Sequence, residues 1–330
     1  MGNALVFRRV MQVAGGAIYL HSMPGRYEPM AQFERACREQ AVTRILCLTG
    51  REEITQKSAA YGAWLECGAN GIEVLEFAVA DFSVADDLPA YAKVIRALAD
   101  AVQAGESVLI HCAAGIGRTG TAAICLLLSM GETLHQASQS IKAAGSGPET
   151  PEQEAFIGHY ADVAELFEIR AFKSDDFERV QHIYLQGIAT GHATFQTERK
   201  NWSEWQCSMT EDCRLVVCNG LGELVGWAGL SAISSREVYR GVAEVSVYIA
   251  NSAQGKGLGK LLLKALIEAS ERAGYWTLQA AIFPENEASI ALHLSCGFCV
   301  LGRREKLGKM HAVWRDVMLL ERRSDVVGVE

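Results

Sequence analysis

Two glycine-bearing turns constrain this chain more than any other feature. The first is VLIHCAAGIGRTG, which runs into the apolar helical pattern GTAAICLLLSM; the second is NSAQGKGLGKLLLKAL, which follows the strand-like EVSVYIA. A strand that passes through a glycine loop into a helix presents converging backbone N–H groups and a positive dipole end, a ready place for an anion. Each module also needs its own sheet and core. The chain has 330 residues, more than one core usually serves, so two modules mean two domains.

The segments between the turns support this. GAIYL, AVTRILCLT, IEVLEFAVA and SVLIHC read as strands, alternating with helical patterns in MAQFERACREQ, LPAYAKVIRALADAVQAG, GTAAICLLLSM and TPEQEAFIGHYADVAELF. That alternation predicts an α/β sheet with a parallel centre. A fresh order begins near Phe167: strand, helix, a hairpin turning at NGLGE, the strand AEVSVYIA, a long helix, WTLQAAIF, the helix NEASIALHLSCG and the strand AVWRDVMLLER. The expected architecture is α/β with two domains, residues 1–165 and 166–330, the second a mixed sheet with helices.

Composition narrows the partners. Residues 1–165 carry 12 Lys/Arg against 19 Asp/Glu, and residues 166–330 carry 19 against 20. An acidic first half argues against nucleic acid and against an anionic membrane surface. No apolar run is long enough to span a bilayer, and Gln12 interrupts the faintly signal-like VMQVAGGAIYL. Met1-Gly2 lacks Ser or Thr at position 6, which argues against myristoylation. Ten cysteines without framework spacing fit a reduced compartment, so a cytoplasmic protein is expected. Cys296 and Cys299 form a C-x-x-C, but it follows a helix instead of starting one, so redox or metal chemistry is not expected there.

In the first turn, the helix N-terminus would favour the thiolate of Cys112, the nucleophilic form. Arg118 offers a two-pronged donor for phosphoryl oxygens, and Gly115 and Gly117 let the backbone curl around them. The spacing H-C-x-x-G-x-x-R-T resembles the signature loop of the protein tyrosine and dual-specificity phosphatases. That resemblance covers about residues 15–165. It implies a substrate cradle of His111, Ala113, Ala114, Gly115, Ile116 and Gly117, with Cys112 as nucleophile and Arg118 as clamp. It also implies Asp81, in VADFSVADD, as general acid, with Asp86 and Asp87 as fallbacks. Thr119 would hydrogen-bond the sulfur, and Gln153 would orient the hydrolytic water. No cofactor is implied, and the substrate is a phosphorylated protein or a small phosphate ester. A loop without lysine disfavours a polyanionic lipid.

The second turn, Q-x-x-G-x-G between a strand and a long helix, resembles the pyrophosphate-binding motif of the Gcn5-related N-acetyltransferases. A dinucleotide fold would want an acidic residue closing a second strand about 20 residues on, whereas Glu271 lies inside the helical pattern. REVYRGVAEVSVYI, PENEASIALHLSCGF and WRDV extend the resemblance, over about residues 167–322, to the phosphinothricin acetyltransferase branch. Ala312 stands where relatives have glycine. The resemblance implies acetyl-CoA held by Gln254, Gly255, Lys256, Gly257, Leu258, Gly259 and Lys260, with its arm along Val247, Tyr248 and Ile249 and beside Asn286. It implies Glu244 as base, His293 near the thiol, and a small amino acid acceptor held by Phe195, Arg236 and Tyr239. A homodimer through this domain is a further implication. The reading is a bifunctional phosphatase and N-acetyltransferase; the alternative is a signalling protein whose first half binds phosphorylated partners and whose second half modifies proteins.

Overall fold

The computed structural model describes residues 7–13 and 15–329, so the Met1-Gly2 start lies outside the described residues. The chain divides into two compact units, Met1–Leu166 and Phe167–Glu330.

The first unit runs β1 (Arg8–Val13), β2 (Gly16–His21), α1 (Met30–Glu39), β3 (Val42–Cys47), α2 (Arg51–Lys57), α3 (Ala59–Glu66), β4 (Glu73–Glu76), α4 (Leu88–Gln103), β5 (Ser107–His111), α5 (Gly117–Ser129), α6 (Leu134–Ala143) and α7 (Pro151–Ala164). Its sheet has the order β1-β2-β5-β3-β4, antiparallel at β1 and parallel elsewhere. The fully buried run SVLIH makes β5 central, and in such sheets ligands gather at the carboxyl ends of the strands. The caps follow the sequence: Asp87 accepts from Ala90 N at the start of α4, and Thr150 caps α7 with Pro151 in its first turn. Asp87 is therefore a helix cap.

The second unit runs β6 (Phe167–Ala171), α8 (Phe177–Ala189), α9 (Trp202–Ser208), β7 (Leu215–Asn219), β8 (Leu224–Ala232), β9 (Val242–Ile249), α10 (Leu258–Arg272), β10 (Thr277–Ile282), α11 (Glu287–Leu294), β11 (Cys299–Met310) and β12 (Val313–Arg323). Its sheet is ordered β11-β12-β10-β9-β8-β7-β6, and β9 and β10 are its parallel neighbours. They are registered only through Val242–Glu244 against Thr277–Gln279. Beyond Glu244, β9 stays paired with β8 while β10 stays paired with β12, so the two strands part.

The β11–β12 hairpin turns on His311 and Ala312, at φ of 47° and 65°. A left-handed alanine costs about 1–2 kcal/mol, offset in part by the freedom glycine adds to the unfolded chain. Ala312→Gly is therefore expected to stabilise this unit by about 1 kcal/mol. The check is the denaturation midpoint; an unchanged or lowered midpoint contradicts it.

Candidate active sites

The first turn begins where β5 ends. Cys112 is 2% exposed, and its sulfur accepts the Gly115 N–H at 3.2 Å. Gly115 has φ of 76°, and a Cβ there would collide with the His21 carbonyl, so this turn requires glycine. The loop carbonyls are tied outward. Ala113 O accepts from Arg26 Nη1 at 2.8 Å and Met23 N at 3.2 Å; Gly115 O accepts from Arg8 Nη2; Ile116 O accepts from Ser146 Oγ at 2.9 Å. With these carbonyls tied outward, the peptide N–H groups between them can face an anion, as the Gly115 N–H faces the sulfur.

Arg118 is 4% exposed and held on several sides. Nη1 donates to Glu53 Oε2 and to the Val79 carbonyl, each at 2.8 Å; Nη2 donates to Glu53 Oε1 at 3.0 Å and to Asp81 Oδ1 at 2.8 Å. Burial opposes the Arg118 charge, but Glu53, Cys112 and Asp81 outweigh it and raise its pKa. Hydrogen bonding to Arg118 holds Glu53 down to about 2. Asp81 thus stands in the site, on the clamp itself. The next residue, Phe82, has φ of 59° and is exposed, a strained conformation for a bulky side chain.

Three sequence expectations change here. His111 is wholly buried and does not face a substrate: the Tyr61 hydroxyl donates to its Nε2 at 2.8 Å, and its Nδ1 lies 3.3 Å from the Cys112 carbonyl. Thr119 does not hydrogen-bond the sulfur; its hydroxyl is buried without a partner among the described residues, and it is the Gly115 N–H that donates to the sulfur. Gln153 is buried with both amide ends engaged: Oε1 accepts from Glu149 N at 2.8 Å, and Nε2 donates to Ser83 O at 3.2 Å. It ties the Asp81 loop to α7. Ala113 is buried, whereas Ala114 and Ile116 are exposed at the loop.

Burial pushes His111 down to about 4, from about 6.5 in an unfolded chain. The unfolded state therefore binds a proton that the native state refuses, and stability present above pH 6.5 is lost as pH falls toward 4. Glu53 ionises differently only below its unfolded value near 4.5, but burial lowers His293 and raises Glu132 and Glu244 in the same range, so the His111 share is read as the difference between wild type and His111→Gln. That share is expected to be about 2–3 kcal/mol. Urea midpoints at pH 7 and 4.5 check this: the drop should shrink in His111→Gln, and an equal drop in both proteins contradicts it.

In the second unit, Gly257 caps α10 with φ of 76°, and Gly255 has φ of 77°; a Cβ at either would meet open space, so conformation, not crowding, selects glycine. Gln254, Lys256 and Lys260 are exposed around this turn, whereas Leu258 is buried and leaves only its backbone for a ligand. Gly259 serves packing, since a Cβ there would press on Leu292 of α11 at 3.2 Å. Val247, Tyr248 and Ile249 pair with Ala228, Trp227 and Gly226 of β8, and their other edge faces the gap to β10.

Glu244 sits at the fork, in the last register pair between β9 and β10. It keeps an opening to solvent, yet the crowding of the sheet raises its carboxyl above the usual range. His293 Nδ1 lies 2.7 Å from the Ser289 carbonyl, which fixes the proton on Nδ1 and leaves Nε2 buried without a partner among the described residues. Burial lowers its pKa, so the neutral imidazole presents an acceptor, opposite to a proton donor for the thiol. Asn286 caps α11 through Ser289 N at 3.2 Å and donates to the His192 carbonyl at 3.2 Å. Of the three residues expected to hold the acceptor, Arg236 lies over the Tyr239 ring at 5.4 Å, whereas Phe195 packs edge-on against Phe283 at 4.7 Å.

Sequence reasoning missed Glu53, Arg8, Arg26, Ser146 and Glu149, all of which touch the first turn. None carries a local signal, because each arrives from another element.

These modules define a chain of two enzyme-type α/β units, and comparison with known proteins places both. A model described as the acetyltransferase (GNAT) family matches residues 172–298, and one described as a Swiss Army Knife protein, DSP-PTPase phosphatase domain, matches residues 12–156. The chain belongs to the GNAT family through its second unit and carries a DSP-PTPase phosphatase domain in its first. It is similar to the phosphinothricin N-acetyltransferase of Alcaligenes faecalis, 31% identical over 186 residues, covering 54% of this chain and 93% of that protein. It is also similar to the L-methionine sulfoximine/L-methionine sulfone acetyltransferase of Pseudomonas paraeruginosa, 37% identical over 111 residues, covering 34% and 64%. Among solved structures, it resembles a GNAT superfamily phosphinothricin acetyltransferase from Sinorhizobium meliloti in complex with AcCoA, 27% identical, TM-score 0.46, covering 50% of this chain and 91% of that one.

Proposed function

We propose that the chain is a bifunctional enzyme, a cysteine-dependent phosphatase followed by an acetyl-CoA-dependent N-acetyltransferase of a small amino acid analogue. One observation carries the reading: each unit sets a glycine turn and a helix N-terminus beside reactive groups, Cys112 with Arg118 and Asp81 in the first, Glu244 at the strand fork in the second.

In the first unit, the Cys112 thiolate attacks phosphorus and the P–O ester bond breaks. Asp81, protonated, gives its proton to the departing oxygen; Arg118 and the loop N–H groups hold the phosphoryl oxygens. Water then takes the phosphoryl group from sulfur, its proton returns to Asp81, and the thiolate is regenerated. The Gly115 N–H donates to the sulfur that attacks. An arriving phosphoryl group competes with Asp81 for Arg118 Nη2.

In the second unit, the open space over Gly255 and Gly257 and the free edge of β9 fit a pyrophosphate and an extended pantetheine arm. Acetyl-CoA, when bound, supplies an activated acetyl thioester. Glu244 accepts the proton of the acceptor's α-ammonium, and Arg236 and Tyr239 offer a fork and a hydroxyl to a carboxylate or phosphinate. The two relatives named for phosphinothricin and methionine sulfoximine support an acceptor with a tetrahedral polar head. The test is acetyl-CoA consumption with these two compounds against glutamate, spermidine and a histone peptide. Preference for either amino acid analogue is expected; preference for peptide or spermidine, or full activity in Arg236→Ala, would overturn the assignment.

A further inference from the structure

The first amide of α5 already has an anion on it. Gly117 N–H, at the helix N-terminus, donates to Glu149 Oε2 at 2.8 Å. A Cβ on Gly117 would collide with that carboxylate oxygen and approach Gln153 Oε1 to 3.0 Å, so the carboxylate lies across the face of the glycine. Its placement is built in. Glu149 N donates to Gln153 Oε1 at 2.8 Å, Gln153 Nε2 donates to Ser83 O at 3.2 Å, and Thr150 caps α7 behind them. Meanwhile Asp81, from the loop that Gln153 tethers, takes Arg118 Nη2. Two donors meant for a phosphoryl group thus hold two carboxylates, one from each flanking segment.

We propose that Glu149 is a specificity-determining residue of the phosphatase site, an internal competitor that sets how strong an anion must be to enter. This rests on the phosphatase reading above. A tethered carboxylate acts at an effective concentration no free carboxylate matches. A dianionic phosphoryl group reaches Gly117 N–H and Arg118 together and displaces it; sulfate carries the same charge and shape but far less basic oxygens, so it gains less from each donor, and a free carboxylate brings only one charge. Discrimination comes from the cost imposed on the wrong ligand. Glu149 is exposed, so it can swing into water when displaced.

The test is calorimetric binding of tungstate, and separately of sulfate, to the full chain. In Glu149→Gln a neutral amide replaces the charged acceptor, which roughly halves the strength of the hydrogen bond. Tungstate should bind roughly 5–20-fold more tightly, sulfate binding should become measurable, and KM for para-nitrophenyl phosphate should fall while kcat changes less than about twofold. Glu152→Gln, the same charge removed one turn away on the exposed start of α7, should change nothing. Equal tungstate affinity in wild type and Glu149→Gln, an equal gain in Glu152→Gln, or a tenfold loss of kcat would each overturn the proposal. In those cases the phosphatase reading stands. Tungstate binding to none of these proteins would remove the anion site, and both readings with it.

Discussion

Cys112→Ser is expected to abolish phosphatase turnover, a loss of roughly 10³-fold or more, equivalent to at least ~4 kcal/mol of barrier. A serine hydroxyl at this position has no adjacent base. The imidazole of the neighbouring residue, His111, is turned to Tyr61, with its other nitrogen beside the Cys112 carbonyl. The variant should still bind tungstate, because Arg118 and the loop amides remain. Steady-state hydrolysis of para-nitrophenyl phosphate checks the first statement and calorimetry the second. Near-normal turnover in the serine variant would contradict a thiol-phosphate intermediate.

Glu244→Gln is expected to lower acetyl transfer by about 10²–10⁴-fold, the usual contribution of a positioned general base. The raised pKa of Glu244 gives the wild type a distinctive profile. The base works only when ionised, so transfer should climb with pH through this elevated value, and the glutamine variant should lack that limb. A variant with an unchanged pH profile would show that the proton leaves by another route. His293, whose buried Nε2 has no partner among the described residues, would then be the group to replace next.

Both turns were readable because each is local. Cys112, Gly115 and Arg118 lie within one loop, and their spacing alone implies a cradle. The partners that complete it come from far along the chain: Glu53 is 65 residues from Arg118, Arg8 is 107 from Gly115, and Glu149 is 32 from Gly117. No periodicity announces such residues, since packing of one element on another brings them in. β1 was missed because Arg8 and Arg9 break its apolar pattern, and one of them is drawn inward to the Gly115 carbonyl. β11 was missed because its mostly exposed sequence, CVLGRREKLGKM, has no buried face to alternate. His111 was misplaced for a different reason: the H-C-x-x-G-x-x-R-T resemblance carries it into the cradle with its neighbours, whereas burial and Tyr61 make it a neutral prop. The parting of β9 from β10 was also illegible, because register between strands is set by pairing across the sheet.

The central claim is that one chain holds two independent active sites. Measuring both activities in one preparation tests it most directly, using para-nitrophenyl phosphate hydrolysis and acetyl-CoA consumption with phosphinothricin, in the wild type, Cys112→Ser and Glu244→Gln. The account predicts that the wild type performs both reactions. Cys112→Ser should lose only hydrolysis, and Glu244→Gln should lose only acetyl transfer. Loss of both activities in either variant, or a wild type that fails one reaction under conditions where it is folded, would contradict it.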